Sequence, residues 1–261
     1  MPDAADAYRT AWSPAEYLRQ YYPTPPLTTD ERHAVTLLAD WLRGGPRVGR
    51  ALEVGCGPVP YRAALLAPHA DEIHLADYLP GNLAAVRLWR DDRPGQHDWD
   101  GFLREALTLE GHAGTDAAVS DRKAELRRKV TGLLACDLTR REPLGAAAAY
   151  DLVTSFYCAE AISGAVPEWE RAVANLARLV APGGRLFVVA LRNARGYRVF
   201  DATFPAAPVN EADWHRLLPA LGFDPARTAV TVVAVPDFVA EGFDSVCVVR
   251  SHKAAAPGVF A

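Results

Sequence analysis

The sequence predicts an α/β fold, a mostly parallel sheet with helices on both faces. Three observations carry that prediction. Five short apolar runs alternate with stretches of helical periodicity. The first run ends on a Gly-x-Gly and the next two end on Asp77 and Asp137, the chemistry expected along the carboxyl edge of an open sheet. Two late runs lie too close together for a helix between them, so they read as an antiparallel hairpin closing the sheet edge.

Residues 1–45 are rich in Tyr, Trp and Pro, with Tyr8, Trp12, Tyr17, Tyr21 and Tyr22 inside fifteen positions. Ser13-Pro14-Ala15-Glu16 has the form of an N-cap, a Pro at the first helical position and a capping-box Glu. The spacing predicts a second helix over 29–42, with Val35, Leu38, Ala39 and Leu42 on one face, stopped by Gly44-Gly45-Pro46. The strands follow at Arg50–Val54, Glu72–Ala76, Thr131–Cys136, Tyr150–Phe156 and Arg185–Leu191. Helical patterns at 63–66, 83–89 and 169–180 lie between them. The hairpin strands are 228–235 and 245–249. A further helix, 121–130, pairs Glu125 with Lys129 at i,i+4, and its dense charge reads as a solvated face. Trp214-His215 falls on a late helix and reads as packing, with a wall of an acceptor pocket as the alternative.

Composition narrows the function. The chain has 261 residues, 50% of them hydrophobic and 23% charged, which excludes wholesale disorder. A net charge of −4 lacks the basic footprint of a nucleic-acid binder. Of 28 basic residues 25 are Arg, which with the abundant Ala reflects GC-rich coding and not function. Cysteines at 56, 136, 158 and 247 match neither zinc-ligand nor redox spacing, and the seven His are scattered, so no metal site is expected. The N-terminus has acidic residues and no apolar core, and no window supplies the ~18 apolar residues of a membrane helix. A cytoplasmic, membrane-free protein is expected. We read 1–261 as one domain, enlarged by a cap at 1–45 and an insertion at 90–130.

The chemistry centres on Glu53-Val54-Gly55-Cys56-Gly57-Pro58, where the first strand turns toward a helix N-terminus. A Gly-x-Gly alone is weak, and the third Gly of the dinucleotide fingerprint is missing. Asp77, 22 residues past Gly55, can accept the hydrogens of a ribose diol, and Asp137 stands where an adenine ring would lie. Each Asp also suits a helix cap. Together they fit an adenosine along the sheet edge, which leaves both a dinucleotide and S-adenosylmethionine open. Glu53, Asp137 and the hairpin after Pro182-Gly183-Gly184 lean to the latter.

At this point the sequence resembles the nicotinamide, phenylethanolamine and indolethylamine N-methyltransferase family of class I S-adenosylmethionine-dependent enzymes. The resemblance rests on Tyr17-Leu-Arg-Gln-Tyr-Tyr22, Glu53-Val-Gly-Cys-Gly-Pro-Val-Pro-Tyr61 and Asp77-Tyr-Leu-Pro-Gly-Asn82. Asp98-Trp99, Leu109-Glu110-Gly111, Cys136-Asp137-Leu138-Thr139 and Pro143-Leu-Gly145 extend it from about residue 8 to 250. It implies a Rossmann-like sheet of seven strands with an N-terminal helical lid, and S-adenosylmethionine as cofactor, leaving as S-adenosylhomocysteine. It implies that Tyr17, Tyr22 and Tyr61 bind the methionine carboxylate and cover the sulfonium. Gly55 and Gly57 would let the cofactor approach. Asp77 would hold the ribose diol, with Tyr78 and Asn82 nearby; Asp137 and Leu138 would recognise the adenine; Phe156, a departure from the pattern, falls at a further cofactor-binding position. Tyr8, Tyr157, Ala190 and Tyr197 would face the acceptor, and Glu160 would anchor it or take its proton.

Departures from the pattern concern the acceptor. Ala190 stands where relatives carry a second acid, and Ala194 and Ala206 replace small hydroxyls; Val59 replaces a Thr in the cofactor turn. The expected acceptor is therefore flatter and less polar than nicotinamide, a small amine or heteroaromatic nitrogen of a biosynthetic pathway. Transfer to oxygen or carbon, cofactor binding without transfer, and a dinucleotide oxidoreductase are the competing readings.

Overall fold

The computed structural model describes residues 4–255. Helices α1 (Ala4–Ala11), α2 (Pro14–Tyr21) and α3 (Thr29–Arg43) precede β1 (Val48–Val54). Then come β2 (Ala70–Asp77), α4 (Pro80–Arg90), α5 (Asp100–Leu109), α6 (Asp116–Lys129), β3 (Val130–Ala135) and β4 (Tyr150–Phe156). Helix α7 (Val166–Arg178), β5 (Val180–Leu191), a small hairpin β6 (Gly196–Val199) and β7 (Ala202–Pro205), α8 (Glu211–Ala220), β8 (Ala229–Ala234) and β9 (Ser245–His252) complete it.

Seven strands form one sheet in the order β3-β2-β1-β4-β5-β9-β8. The first five are parallel; β9 runs antiparallel to both β5 and β8. The chain winds outward from β1 in one direction, then returns to β4 and winds the other way. Ligands of open α/β sheets bind in the crevice that such a reversal leaves at the carboxyl ends of the strands. Alternation along each strand feeds two cores. Ala51, Leu75, Phe187 and Val189 join Leu38 and Leu42 of α3 on one face. Leu52, Val54, Leu186 and Val188 meet Val173 and Leu176 of α7 on the other. Trp214 is fully buried there, its ring edge-on to Trp169 at 5.0 Å, so it packs the core.

The expected strands are all present, and β4 has the predicted bounds. Ser13 caps α2, accepting the Glu16 N–H at 3.3 Å. Several features differ. Helix α1 and the β6–β7 hairpin are additions, and a short 3-10 helix, Pro236–Glu241, occupies the connection expected to be helix-free. The helix expected after the Gly-x-Gly is instead two short 3-10 pieces, Tyr61–Leu65 and Ala67–His69. Pro68 explains why no α-helix continues, because it lacks the N–H that the Ala64 carbonyl needs. The insertion supplies those donors. Arg122 of α6 donates to the Ala64 carbonyl at 3.1 Å and Lys129 donates to that of Ala67. Lys129 does pair with Glu125, at 2.8 Å, yet Arg122 and Lys129 are both buried, so this side of α6 is structural and not solvated.

Candidate active site

A cavity of about 630 Å³ lies at the carboxyl ends of the strands. It is walled by Val54 of β1, Asp77 of β2, Cys136 after β3, Phe156 of β4 and Leu191 of β5, and roofed by residues from 8 to 31.

The turn after β1 is built for close approach. Gly55 has φ +67°, and a Cβ there would lie 2.3 Å from the Cys158 Sγ. The N–H groups of Gly55 and Cys56 are used by the Ala76 carbonyl, and that of Gly57 by Asp77 Oδ2 at 2.7 Å. The turn therefore offers shape, not free donors. Asp77 Oδ1 accepts from Leu79 N–H at 2.8 Å and Asn82 Nδ2 at 3.0 Å. A carboxylate has about four lone-pair sites, so these three bonds leave about one. Asp137 Oδ1 is held by the backbone N–H and hydroxyl of Thr139. Leu138 and Phe156 supply apolar walls.

The roof is aromatic and latched at two ends. Tyr8 donates its hydroxyl to the Ala161 carbonyl at 2.9 Å and lies 2.9 Å from the Tyr197 hydroxyl. Its ring stacks on Phe204 of β7 at 4.8 Å, which is the work of the β6–β7 hairpin. At the other end the Trp12 indole N–H donates to Asn82 Oδ1 at 2.9 Å. Tyr17 packs between Trp12 and Tyr21, at 4.9 and 5.1 Å.

Behind the roof sits a buried ion pair. Glu31 and Arg62 are nearly inaccessible and bonded to each other. The hydroxyls of Tyr22 (2.7 Å) and Tyr61 also donate to Glu31. Burial raises the Glu31 carboxyl, but Arg62 and these hydrogen bonds outweigh it and hold it below the ordinary range. The guanidinium lies 4.8 Å from the Phe156 ring centroid. Asp30, one residue away, also lines the cavity and is buried. Its Oδ2 accepts the Tyr157 hydroxyl at 2.6 Å, and its Oδ1 has no donor.

Most of the expected residues meet at this cavity. Tyr8, Tyr17, Tyr22, Gly55, Gly57, Asp77, Tyr78, Asn82, Asp137, Leu138, Phe156, Tyr157 and Tyr197 line it. Tyr61, Glu160 and Ala190 do not line it. Tyr61 is fully buried with its hydroxyl on Glu31. Glu160 is also fully buried; its Oε1 accepts the Leu191 N–H at 2.9 Å and its Oε2 has no partner. Burial pushes this carboxyl up to about 7. Ala190 packs in the sheet core, and Ala194 and Ala206 are buried outside the lining, so these three do not set the polarity of the wall. Sequence reasoning missed Asp30, Glu31, Arg62, Phe238 and Phe243, all of which line the cavity. Arg62 had one legible signal, its place directly after the Gly-Pro-x-x-Tyr turn. The acid pair 30–31 looked like an ordinary helix start.

Among the described residues no cluster of three His, Cys, Asp or Glu is placed to hold a metal ion, and no helix is long and apolar enough to cross a membrane. Comparison with known proteins agrees with the geometry. Phenylethanolamine N-methyltransferase of Bos taurus is 28% identical over 212 residues, covering 77% of this chain and 74% of that protein. Indolethylamine N-methyltransferase of Mus musculus is 30% identical over 204 residues, 76% of each chain. Among solved structures, magnesium protoporphyrin IX methyltransferase from Synechocystis PCC 6803 with bound SAM superimposes with a TM-score of 0.58 at 15% identity, covering 97% of this chain and 98% of that one. The model of the NNMT/PNMT/TEMT family matches residues 3–254, and the chain belongs to that family of methyltransferases.

Proposed function

We propose that the protein transfers the methyl group of S-adenosylmethionine to a nitrogen of a small acceptor. The observation that carries this is one continuous cavity with two kinds of wall. One end has the Gly55–Gly57 turn, Asp77, Asp137 and Leu138; the other has Tyr8, Tyr157, Leu191 and Tyr197. The residues fit the cofactor. The open glycine turn admits its sugar, and the remaining lone pair of Asp77 is available to a ribose hydroxyl. Asp137 Oδ2, free of Thr139, faces no competing bond among those described and suits the adenine amine. Aromatic faces and an excess of carboxylates suit a sulfonium cation.

Bound here, S-adenosylmethionine supplies an electrophilic methyl group with a neutral thioether as leaving group. The protein's part is alignment, exclusion of water and removal of one proton. Holding the two reactants in line is worth about 7–11 kcal/mol of the barrier. The Tyr8 and Trp12 latches close the roof over the reacting atoms. Radiolabelled S-adenosylmethionine, incubated with amines, heteroaromatic nitrogens and phenols, tests the reading. The expected product is an N-methyl compound formed one-to-one with S-adenosylhomocysteine. Failure to bind the cofactor, or transfer confined to oxygen, overturns it.

A further inference from the structure

The cavity wall carries a positive charge that the sequence pattern did not assign. Among the described residues two cations line the cavity, Arg62 and Arg171. Arg171 stands on α7, well exposed and 3.6 Å from Glu168. Arg62 is 2% exposed and lies on the 3-10 turn that follows the glycine loop. A guanidinium has five N–H donors in a fixed fork. Arg62 uses Nε on Glu31 Oε2 at 3.2 Å, and Nη2 on Glu31 Oε1 and the Tyr22 hydroxyl. Its Nη1 donates to no protein atom among the described residues, yet it is not sealed from the cavity. The guanidinium lies 4.8 Å from the ring centroid of Phe156, which closes β4, and 5.5 Å from that of Tyr157. The Tyr17 hydroxyl is beside it: burial raises that hydroxyl, and the Arg62 charge works the other way.

Strand order sets the direction of a cofactor lying along the sheet edge. With adenine at Asp137, after β3, and ribose at Asp77, on β2, the sulfur would fall by the glycine turn after β1. The methionine arm would then run on toward the end of β4, where Arg62 stands. That arm ends in an α-carboxylate. Two of the hydroxyls expected to hold it are already engaged, because Tyr22 and Tyr61 both donate to Glu31. We infer that Arg62 is the residue that recognises the cofactor's carboxylate: Nη1 donates to it, while Glu31 holds the far edge of the guanidinium in place. This rests on the methyltransferase reading. The consequence is selection by charge. A ligand with the carboxylate gains a charge-assisted hydrogen bond in a site screened from water. A ligand without it covers Nη1 and gives it no acceptor, which costs the desolvation of that group. Glu31 keeps the pair neutral between visits, so the buried cation is tolerated in the wall while its free nitrogen stays open to the cavity.

The test uses the full chain and two thioethers that differ only in the carboxylate, S-adenosylhomocysteine and S-adenosyl-3-thiopropylamine. Calorimetry reads the binding of each. The wild-type protein should prefer S-adenosylhomocysteine by about 30-fold or more, the scale of a hydrogen bond between charged groups. Arg62→Gln should cut that preference below about 5-fold, by weakening S-adenosylhomocysteine while the amine thioether stays within about 3-fold. Because that change strands the buried Glu31, a second variant carries Glu31→Gln together with Arg62→Gln. It removes both charges at once and should show the same lost preference. A wild-type protein without the preference, a preference kept in both variants, or equal loss of the two ligands overturns the assignment. A wild-type protein that binds neither thioether overturns the methyltransferase reading, and this inference with it.

Discussion

At the residue scale, the site depends on a few buried polar groups, each with a separable effect. Asp77 offers about one free lone pair to a ligand while its other bonds fix the glycine turn and Asn82. Asp77→Ala should weaken S-adenosylmethionine at least tenfold in titration calorimetry, with the circular dichroism spectrum retained. Gly55→Ala should be worse for the fold, since its Cβ would collide with Cys158 and φ is positive. A loss of about 2–4 kcal/mol in denaturant unfolding is expected, combining backbone strain with the clash. Adding Cys158→Ala should return part of it. Glu31→Gln strips the buried Arg62 of its counter-charge, and breaking such a pair costs about 3–5 kcal/mol. Of this chemistry, the glycine turn, Asp77 and Asp137 were legible because strand ends fix where they fall. Glu31 and Arg62 were not, because nothing periodic links two residues 31 apart that meet only after the roof packs.

At the scale of elements, local sequence rules accounted for most boundaries and failed where elements depend on one another. β1 to β5 follow from their apolar runs, and α2 from its Ser13 cap. The turn at 61–65 has helical periodicity but no room to grow before Pro68, and its unmet carbonyls are answered from α6, more than fifty residues away. The β6–β7 hairpin has four residues a strand, too short for a pattern to register, yet it carries the ring on which Tyr8 rests. Shortening that hairpin to a turn should raise the acceptor KM far more than it weakens the cofactor. Steady-state kinetics and calorimetry on the same variant check this, and an unchanged KM would detach the hairpin from the acceptor end.

At the scale of the whole molecule, two carboxyls buried beside the sheet shape the response to pH. Burial raises Glu53 to about 8 and Glu160 to about 7. Both therefore keep a proton in the folded chain that the unfolded chain releases above its ordinary carboxyl range. By linkage, stability is highest at the acidic end of that interval and declines as pH rises toward these values. For Glu160 the decline is on the order of 3 kcal/mol. Glu160→Gln, which still offers an acceptor to Leu191, should flatten part of the fall between about pH 5 and 8 in denaturant titrations. The same slope in wild type and variant would show that Glu160 is charged in the folded state.

The two latches sit close together in sequence, at Tyr8 and Trp12, but grip opposite ends of the cavity. Trp12 reaches Asp77 through Asn82, while Tyr8 reaches Tyr197. A ligand that steadies either end steadies the single segment that covers both. The two binding events are then thermodynamically linked: whatever factor the cofactor adds to acceptor affinity, the acceptor must add to cofactor affinity. Heterotropic cooperativity of equal size in both directions is the signature, and Trp12→Phe, which removes one grip, should bring it toward unity.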